Sequence, residues 1–324
     1  MIICSGTSRL VVIEGEYLPE PGPQRDDVLL GLMLGKPHGL GGQGSQSNKV
    51  SVVTSDPKGD SFHFHFYQII EQTGQMMDKM ECSNAAAAAG LFARLSRVAR
   101  PLEGESIIHT TNTATGQKIT LSIPAQEEMW KHPWGVRFNL DPAITEEVRG
   151  YGDPHEITID GRVIRYHIVP RGNVFVFCQI APDLMTPELS VEIANQASEV
   201  AVELGRAKRP FLPKIIPYQL LDGRRVRAAS YFEGERHASM PGSASMALAL
   251  FLSLVRGPEL EGQNLDAPEF DVLFTDGSMR VRVGMAHGVA TYTEFDTPVR
   301  LLLHGAAPVP PGHSFMIEVA ESVT

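Results

Sequence analysis

Glu81–Ala93 reads ECSNAAAAAGLFA. Five alanines followed by Gly90, Leu91 and Phe92 make a segment that is helix-prone and apolar over most of its circumference. Such a helix is expected to be buried as core rather than laid on a surface. The reading extends it over residues 81–100, where the arginines of LSRVAR suit the negative end of the helix dipole. Its start is different in kind. Cys82, Ser83 and Asn84 stand where the first backbone N–H groups of a helix have no partner and the dipole is positive, a ready place for an anion.

A second segment repeats the plan. Residues 240–256, MPGSASMALALFLSLVR, open with a serine-bearing turn and continue as a strongly apolar helix. Short alternating or apolar runs surround both segments. KVSVVTSD (49–56) and FHFHFYQII (62–70) read as strands, and ESIIHTTN with QKITLSIP and EITIDGRVIRYHIVP read as hairpins. Beyond Gly172 the pattern restarts with NVFVFCQI. A helix follows from Thr186, with Pro187 at its first position. Then come KIIPYQLL, RRVRAASYF, the second apolar helix, three more strands and a closing strand at SFMIEVAE (314–321). A buried helix wrapped by short strands, made twice, is an α+β plan with two similar domains. The division is expected as 1–170 and 171–299, with 300–324 returning to the first domain.

Bulk properties bound the function. The 324 residues are 43% hydrophobic and 20% charged, ordinary for a globular protein of about two domains. A net charge of -10 argues against nucleic acid or an anionic membrane as partner, but not against a small anion in a locally basic pocket. No stretch is apolar and long enough to span a bilayer, and MIICSGTSRLVVIEGE lacks the pattern of a signal peptide, so a cytoplasmic protein is expected. Three widely spaced cysteines, Cys4, Cys82 and Cys178, give neither a disulfide framework nor a zinc pattern. Cys178 lies inside an apolar run and reads as core. His63 and His65 share a strand face but lack a third ligand, so no metal site is expected.

These segments, in this order, resemble the PrpF-type 2-methylaconitate isomerases of the diaminopimelate-epimerase superfamily. Ser5-Gly6-Thr7-Ser8 is similar to that family's Gly-Gly-Thr-Ser, and Gln46-Ser47-Asn48-Lys49-Val50 to the end of its glycine-rich loop at Ser-Lys-Val. Glu81-Cys82-Ser83-Asn84 resembles its Asn-Cys-Gly-Asn, and HTTNTATGQKI its hairpin. ERHASMPGSASMALAL resembles the start of its second helix, and DTPVRLLLHGAAPVP its closing stretch. The resemblance implies two domains with the active-site cleft between them, no metal or organic cofactor, and movement of a double bond in an unsaturated carboxylate. It implies proton transfer by Lys49 and Cys82. A small-molecule carboxylate is then the partner, and a homodimer is one assembly the resemblance leaves open.

Allylic isomerisation needs a base, an acid at the far end of the allyl system, and N–H groups or cations to stabilise a dienolate-like intermediate. A thiol at a helix N-terminus suits one proton-transfer role and a lysine ending a loop suits the other. The residues leave open which is the base. Ser8, Ser83, Asn84, Gly242 and Ser243 are the candidate carboxylate contacts, and His237 stands just before the second helix.

The chain also departs from the family. Ser83 replaces a glycine, FTDGS (274–278) replaces His-Pro-Ser-Gly, and Asp296-Thr297-Pro298-Val299-Arg300 has lost one basic residue of the closing stretch. These changes suggest a substrate with fewer carboxylates than methylaconitate. Two other readings compete. One is an epimerase using the same pair, and the other is a non-catalytic binding protein on the same fold. Met240 cannot transfer protons, which disfavours a two-thiol racemase.

Overall fold

The computed structural model describes residues 1–304 apart from 7, 36–38, 43–45, 57–60, 72, 97–105, 126–127, 129–130, 160, 172, 204–212, 238 and 257–266. The closing strand expected at 314–321 lies outside the described residues. The chain divides into two compact units, one of Met1–Val136 with the segment returning at Thr297, the other of Arg137–Asp296.

The first unit contains β1 (Ile2–Ser5), β2 (Ser8–Glu14), α1 (Pro23–Leu34), β3 (Lys49–Ser55), β4 (Ser61–Ile70), β5 (Gln75–Met77), α2 (Ser83–Leu95), β6 (Ser106–Asn112) and β7 (Lys118–Ile123). β8 (Trp134–Asn139) carries the chain into the second unit. That unit contains α3 (Ala143–Arg149), β9 (His155–Ile159), β10 (Arg162–Arg171), β11 (Asn173–Gln179), α4 (Pro187–Glu203), β12 (Lys214–Leu220) and β13 (Arg225–Ala228). It continues through β14 (Tyr231–Phe232), β15 (Glu235–Arg236), α5 (Gly242–Val255), β16 (Glu269–Phe274), β17 (Gly277–Ala286) and β18 (Val289–Thr297). β19 (Val299–Leu303) returns to pair antiparallel with β1.

The duplication seen weakly in the sequence is exact in topology. β1 pairs antiparallel with β2, β2 crosses through α1 to a parallel β3, β3 pairs antiparallel with β4, and β4 crosses through α2 to a parallel β6 that turns back as β7. In the second unit β10 and β11, α4, β12, β13, α5, β16 and β17 repeat each step with the same directions. The β9–β10 hairpin, counted with the first half in the sequence, is hydrogen-bonded to β11 and so falls in the second unit.

Strand alternation sends each sheet face to a different helix. Val11, Val50, Val52, Tyr67 and Ile69 pack with Leu29 and Met33 of α1, while Ile168, Val176, Cys178 and Ile215 pack with Ile193, Ala197 and Ala201 of α4. Cys178 is fully buried, and burial pushes its thiol far above the ordinary range, as suits a core residue. The other faces receive α2 and α5. Every residue of α2 from Ser83 to Ala93 is buried, as its composition requires. Gly90 permits a close approach: a Cβ there would sit 2.5 Å from Leu121 Cδ1. α5 is buried with larger side chains, and the Phe251 ring packs at a tilt against His167 and Phe177 and edge-on against Tyr218. Thr186 caps α4 as expected, its Oγ1 accepting from Leu189 N at 3.2 Å.

Two histidines carry a pH dependence. Burial lowers the pKa of His65 in the first unit and of His167 in the second. Both are therefore neutral in the fold, and their contribution to stability is complete above an unfolded value of about 6.5 and is lost as pH falls below it. The thermal midpoint is expected to fall as pH drops below about 6.5. His167→Phe should flatten that fall; an unchanged slope in the variant would remove His167 from the account.

Candidate functional site

The period-two alternation that sends Val50 and Val52 to α1 turns Lys49 to the α2 side of the sheet. Ser5 and Ser8 lie opposite each other in β1 and β2, and Lys49 lies opposite Leu10 and Gln68. The loop before Lys49 is fixed through Asn48. Its Oδ1 accepts from Gly42 N at 2.9 Å, and its carbonyl accepts from Ile69 N at 2.9 Å and Gln68 Nε2 at 3.0 Å.

Lys49 Nζ donates to Ser8 Oγ at 2.7 Å, and Asn84 Nδ2 donates to the same oxygen at 3.1 Å. One hydroxyl thus joins the β3 lysine to the first turn of α2. With both lone pairs of Ser8 engaged, its own O–H points to no acceptor among the described residues and is available to a ligand oxygen. Cys82 is the residue that caps α2, in extended conformation, and its side chain makes no capping bond. Its carbonyl accepts from Ala85 N at 3.0 Å and Ala86 N at 3.1 Å. The N–H groups of Ser83 and Asn84 have no acceptor among the described residues, the usual condition of a helix start. Lys49, Ser8 and Asn84 therefore form one hydrogen-bonded chain, and Cys82 and Ser83 stand on the same turn as Asn84.

Several supporting residues are not legible as such in the sequence. Gly6 has φ 53°, donates to Pro298 O at 2.9 Å, and would place a Cβ 2.8 Å from Asn84 Oδ1 and 3.1 Å from Thr297 Oγ1. Gly6→Ala is expected to cost roughly 1–2 kcal/mol from the left-handed backbone and to push the Asn84 amide off Ser8. Its activity should fall by tenfold or so, more than the loss of stability alone explains; an active variant with only a lower melting point would show that the Asn84–Ser8 bond is dispensable. Glu81 is another such residue: it is buried beside Cys82 and bound to Asn112 and Thr115.

Gly242 and Ser243 open α5 in the second unit after Met240-Pro241, and Met240 is 2% exposed. The stretch 274–278 is the exposed β16–β17 turn, where Arg236 Nη2 donates to Thr275 Oγ1 at 2.9 Å. Asp296 is not a free acid: Arg282 Nη2 donates to its Oδ2 at 3.0 Å. His65 Nδ1 lies 2.9 Å from Thr113 Oγ1, and its Nε2 is 3.6 Å from Asp78. Among the described residues no group of three or more metal-ligating side chains gathers. No helix there is long and apolar enough to cross a membrane.

No family model matches the chain. A stretch of 148 residues, 44% of this chain, is 26% identical to a 4-oxalomesaconate tautomerase from Pseudomonas putida. The match covers 41% of that relative, less than half its length. Among solved structures, a methylitaconate-delta-isomerase superposes with a TM-score of 0.71 at 17% identity, covering 95% of this chain and 94% of that one. A probable proline racemase from Agrobacterium radiobacter, solved with bound carbonate, gives a TM-score of 0.59 at 12% identity over 96% of this chain and 93% of that one. The likeness to this group read from the sequence is borne out, and the fold is the α+β, diaminopimelate-epimerase-like one expected of it.

Proposed function

We propose that the chain is an isomerase that moves a double bond in a small unsaturated carboxylate by proton transfer, with Lys49 and Cys82 as the acid–base pair. The observation that carries the reading is the hydrogen-bonded chain from Lys49 through Ser8 to Asn84, ending on the helix start that bears Cys82. A similar structure is that of a methylitaconate-delta-isomerase, which supports the reaction class.

In the proposed reaction one member of the pair breaks an allylic C–H bond and takes the proton. The electron pair delocalises toward a substrate carboxylate, where the N–H groups of Ser83 and Asn84 and the Ser8 hydroxyl meet the charge. The other member breaks its own bond to hydrogen as a C–H bond forms at the far end of the allyl system. Exchange with water resets both groups, so solvent hydrogen enters the product. Gly242 and Ser243 open α5 as Ser83 and Asn84 open α2. Protons and charge come from the chain itself, so the reading needs no cofactor. A two-thiol racemase is disfavoured because the second helix start carries the buried Met240 and no thiol.

The departures at 83, 274–278 and 296–300 favour a substrate with fewer carboxylates than methylaconitate, and the Arg282–Asp296 pair leaves that arginine less free to bind one. The test is incubation in D₂O with unsaturated mono-, di- and tricarboxylates, followed by NMR. Deuterium at carbon with a shifted double bond supports the reading. Exchange with the double bond in place supports an epimerase instead. Turnover of methylaconitate at the rate of a natural substrate would end the proposal of fewer carboxylates.

A further inference from the structure

Ser8 is 1% exposed, and its oxygen lies between two donors, Lys49 Nζ at 2.7 Å and Asn84 Nδ2 at 3.1 Å. Among the described residues no carboxylate forms an ion pair with Lys49. The Asn84 amide has one edge that donates and one that accepts, and the donating edge faces Ser8. Its oxygen is the amide atom nearer to Gly6, 2.8 Å from where a Cβ would stand. Thr297 Oγ1 lies 3.1 Å from the same point, buried and without a partner among the described residues. The amide thus has a hydroxyl bonded on one side and an unpartnered one near the other. Turned over, it would present Oδ1 to Ser8 and take the serine proton, and that proton would be lost to a ligand.

We infer that Asn84 is a positioning residue whose amide, by donating to Ser8, keeps the serine proton for the ligand and makes this corner of the site selective for an oxygen that can only accept. The inference rests on the placement of a substrate oxygen at Ser8 in the reading above. Lys49 Nζ, the Ser8 O–H and the N–H groups of Ser83 and Asn84 all present hydrogens. A carboxylate or dienolate oxygen meets each of them with a lone pair. An amide NH₂ or an amine turns hydrogen toward hydrogen and leaves buried donors unpaired, which is costly because they are already out of water. The side chain of Asn84 acts here through Ser8, while its backbone N–H belongs to the helix start.

The test is titration of the full chain with crotonate, an unsaturated monocarboxylate, and with crotonamide, which has nearly the same shape and an NH₂ group in place of one oxygen. Binding is followed by NMR at the backbone amide signals of residues 83 and 84, at constant ionic strength. The unaltered protein is expected to bind crotonate roughly tenfold more tightly than crotonamide. Ser8→Ala should weaken crotonate roughly tenfold and Asn84→Ala roughly fivefold, and the double variant should be no weaker than Ser8→Ala alone. Alanine is the best helix former, so α2 keeps its start in Asn84→Ala. A double variant weaker by the product of the two effects, roughly fiftyfold, would overturn the inference, because Asn84 would then act apart from Ser8. So would equal binding of crotonate and crotonamide, or no shift at residues 83 and 84 with crotonate. The titration needs no turnover. A chain that shows the expected pattern but fails the deuterium experiment keeps this inference and loses the isomerase reading, and the opposite pair of results does the reverse.

Discussion

Lys49→Ala is expected to abolish deuterium incorporation into substrate, a loss of roughly three orders of magnitude or more, with little change in stability. A positioned acid or base contributes about 10²–10⁴-fold, and Lys49 also supplies one of the two donors that hold Ser8. Its side chain is half-buried at the start of β3, so removal should cost within about 1 kcal/mol of folding energy. Lys49→Arg separates two roles. Arginine keeps the positive charge and a donor for Ser8 but cannot give up its proton to become a base. An inactive Lys49→Arg therefore agrees with proton abstraction. An active one would show that the lysine acts only as a cation beside the intermediate. Cys82→Ser should lose activity by a comparable factor, since a hydroxyl is a far weaker acid than a thiol near neutral pH. If both variants exchange deuterium as fast as the unaltered protein, the pair is not the catalytic one and the fold is hosting another chemistry.

The parts of this arrangement differ in how legible they are. The two buried helices are plain from the sequence because an apolar circumference has only one stable solution, burial within wrapped strands. Lys49 and Cys82 are singled out by the family motifs that Gln46–Val50 and Glu81–Asn84 resemble, since a loop-end lysine and a helix-start cysteine carry no such signal by themselves. Their connection is not visible. Ser8 is 41 residues from Lys49 and 76 from Asn84, and only the parallel β2–β3 pairing and the packing of α2 bring the three together. Glu81 shows no signal either, because its partners Asn112 and Thr115 lie in a hairpin whose turn chemistry reads the same with or without them. Strands β1 and β19 were missed for a related reason. Each is short, and each is fixed by pairing across almost the whole chain, Cys4 lying opposite Arg300. α3 is seven residues long, too short for a helical period to declare itself.

Phe251→Ala is expected to destabilise the second unit by about 3–5 kcal/mol, a large share of the 5–15 kcal/mol typical of a domain. The ring is fully buried, with centroids 4.7 Å from His167, 5.2 Å from Phe177 and 6.5 Å from Tyr218. It thus ties α5 to β10, β11 and β12 at once, and the hole it leaves is lined by rigid rings that collapse poorly. The duplicated topology makes the contrast with the first unit informative. α2 occupies the equivalent place with alanines, so its packing is achieved by close approach, and its sensitive changes run the other way. Ala88→Leu there should cost about 1–3 kcal/mol by overfilling. Trp134 is fully buried in the first unit, so its fluorescence reports that unit, whereas far-UV circular dichroism reports both. In urea, Phe251→Ala should lower the dichroism midpoint and leave the fluorescence midpoint behind it, with the order reversed in Ala88→Leu. Coincident transitions in both variants would mean that the two units, although each has its own core, unfold as one cooperative body.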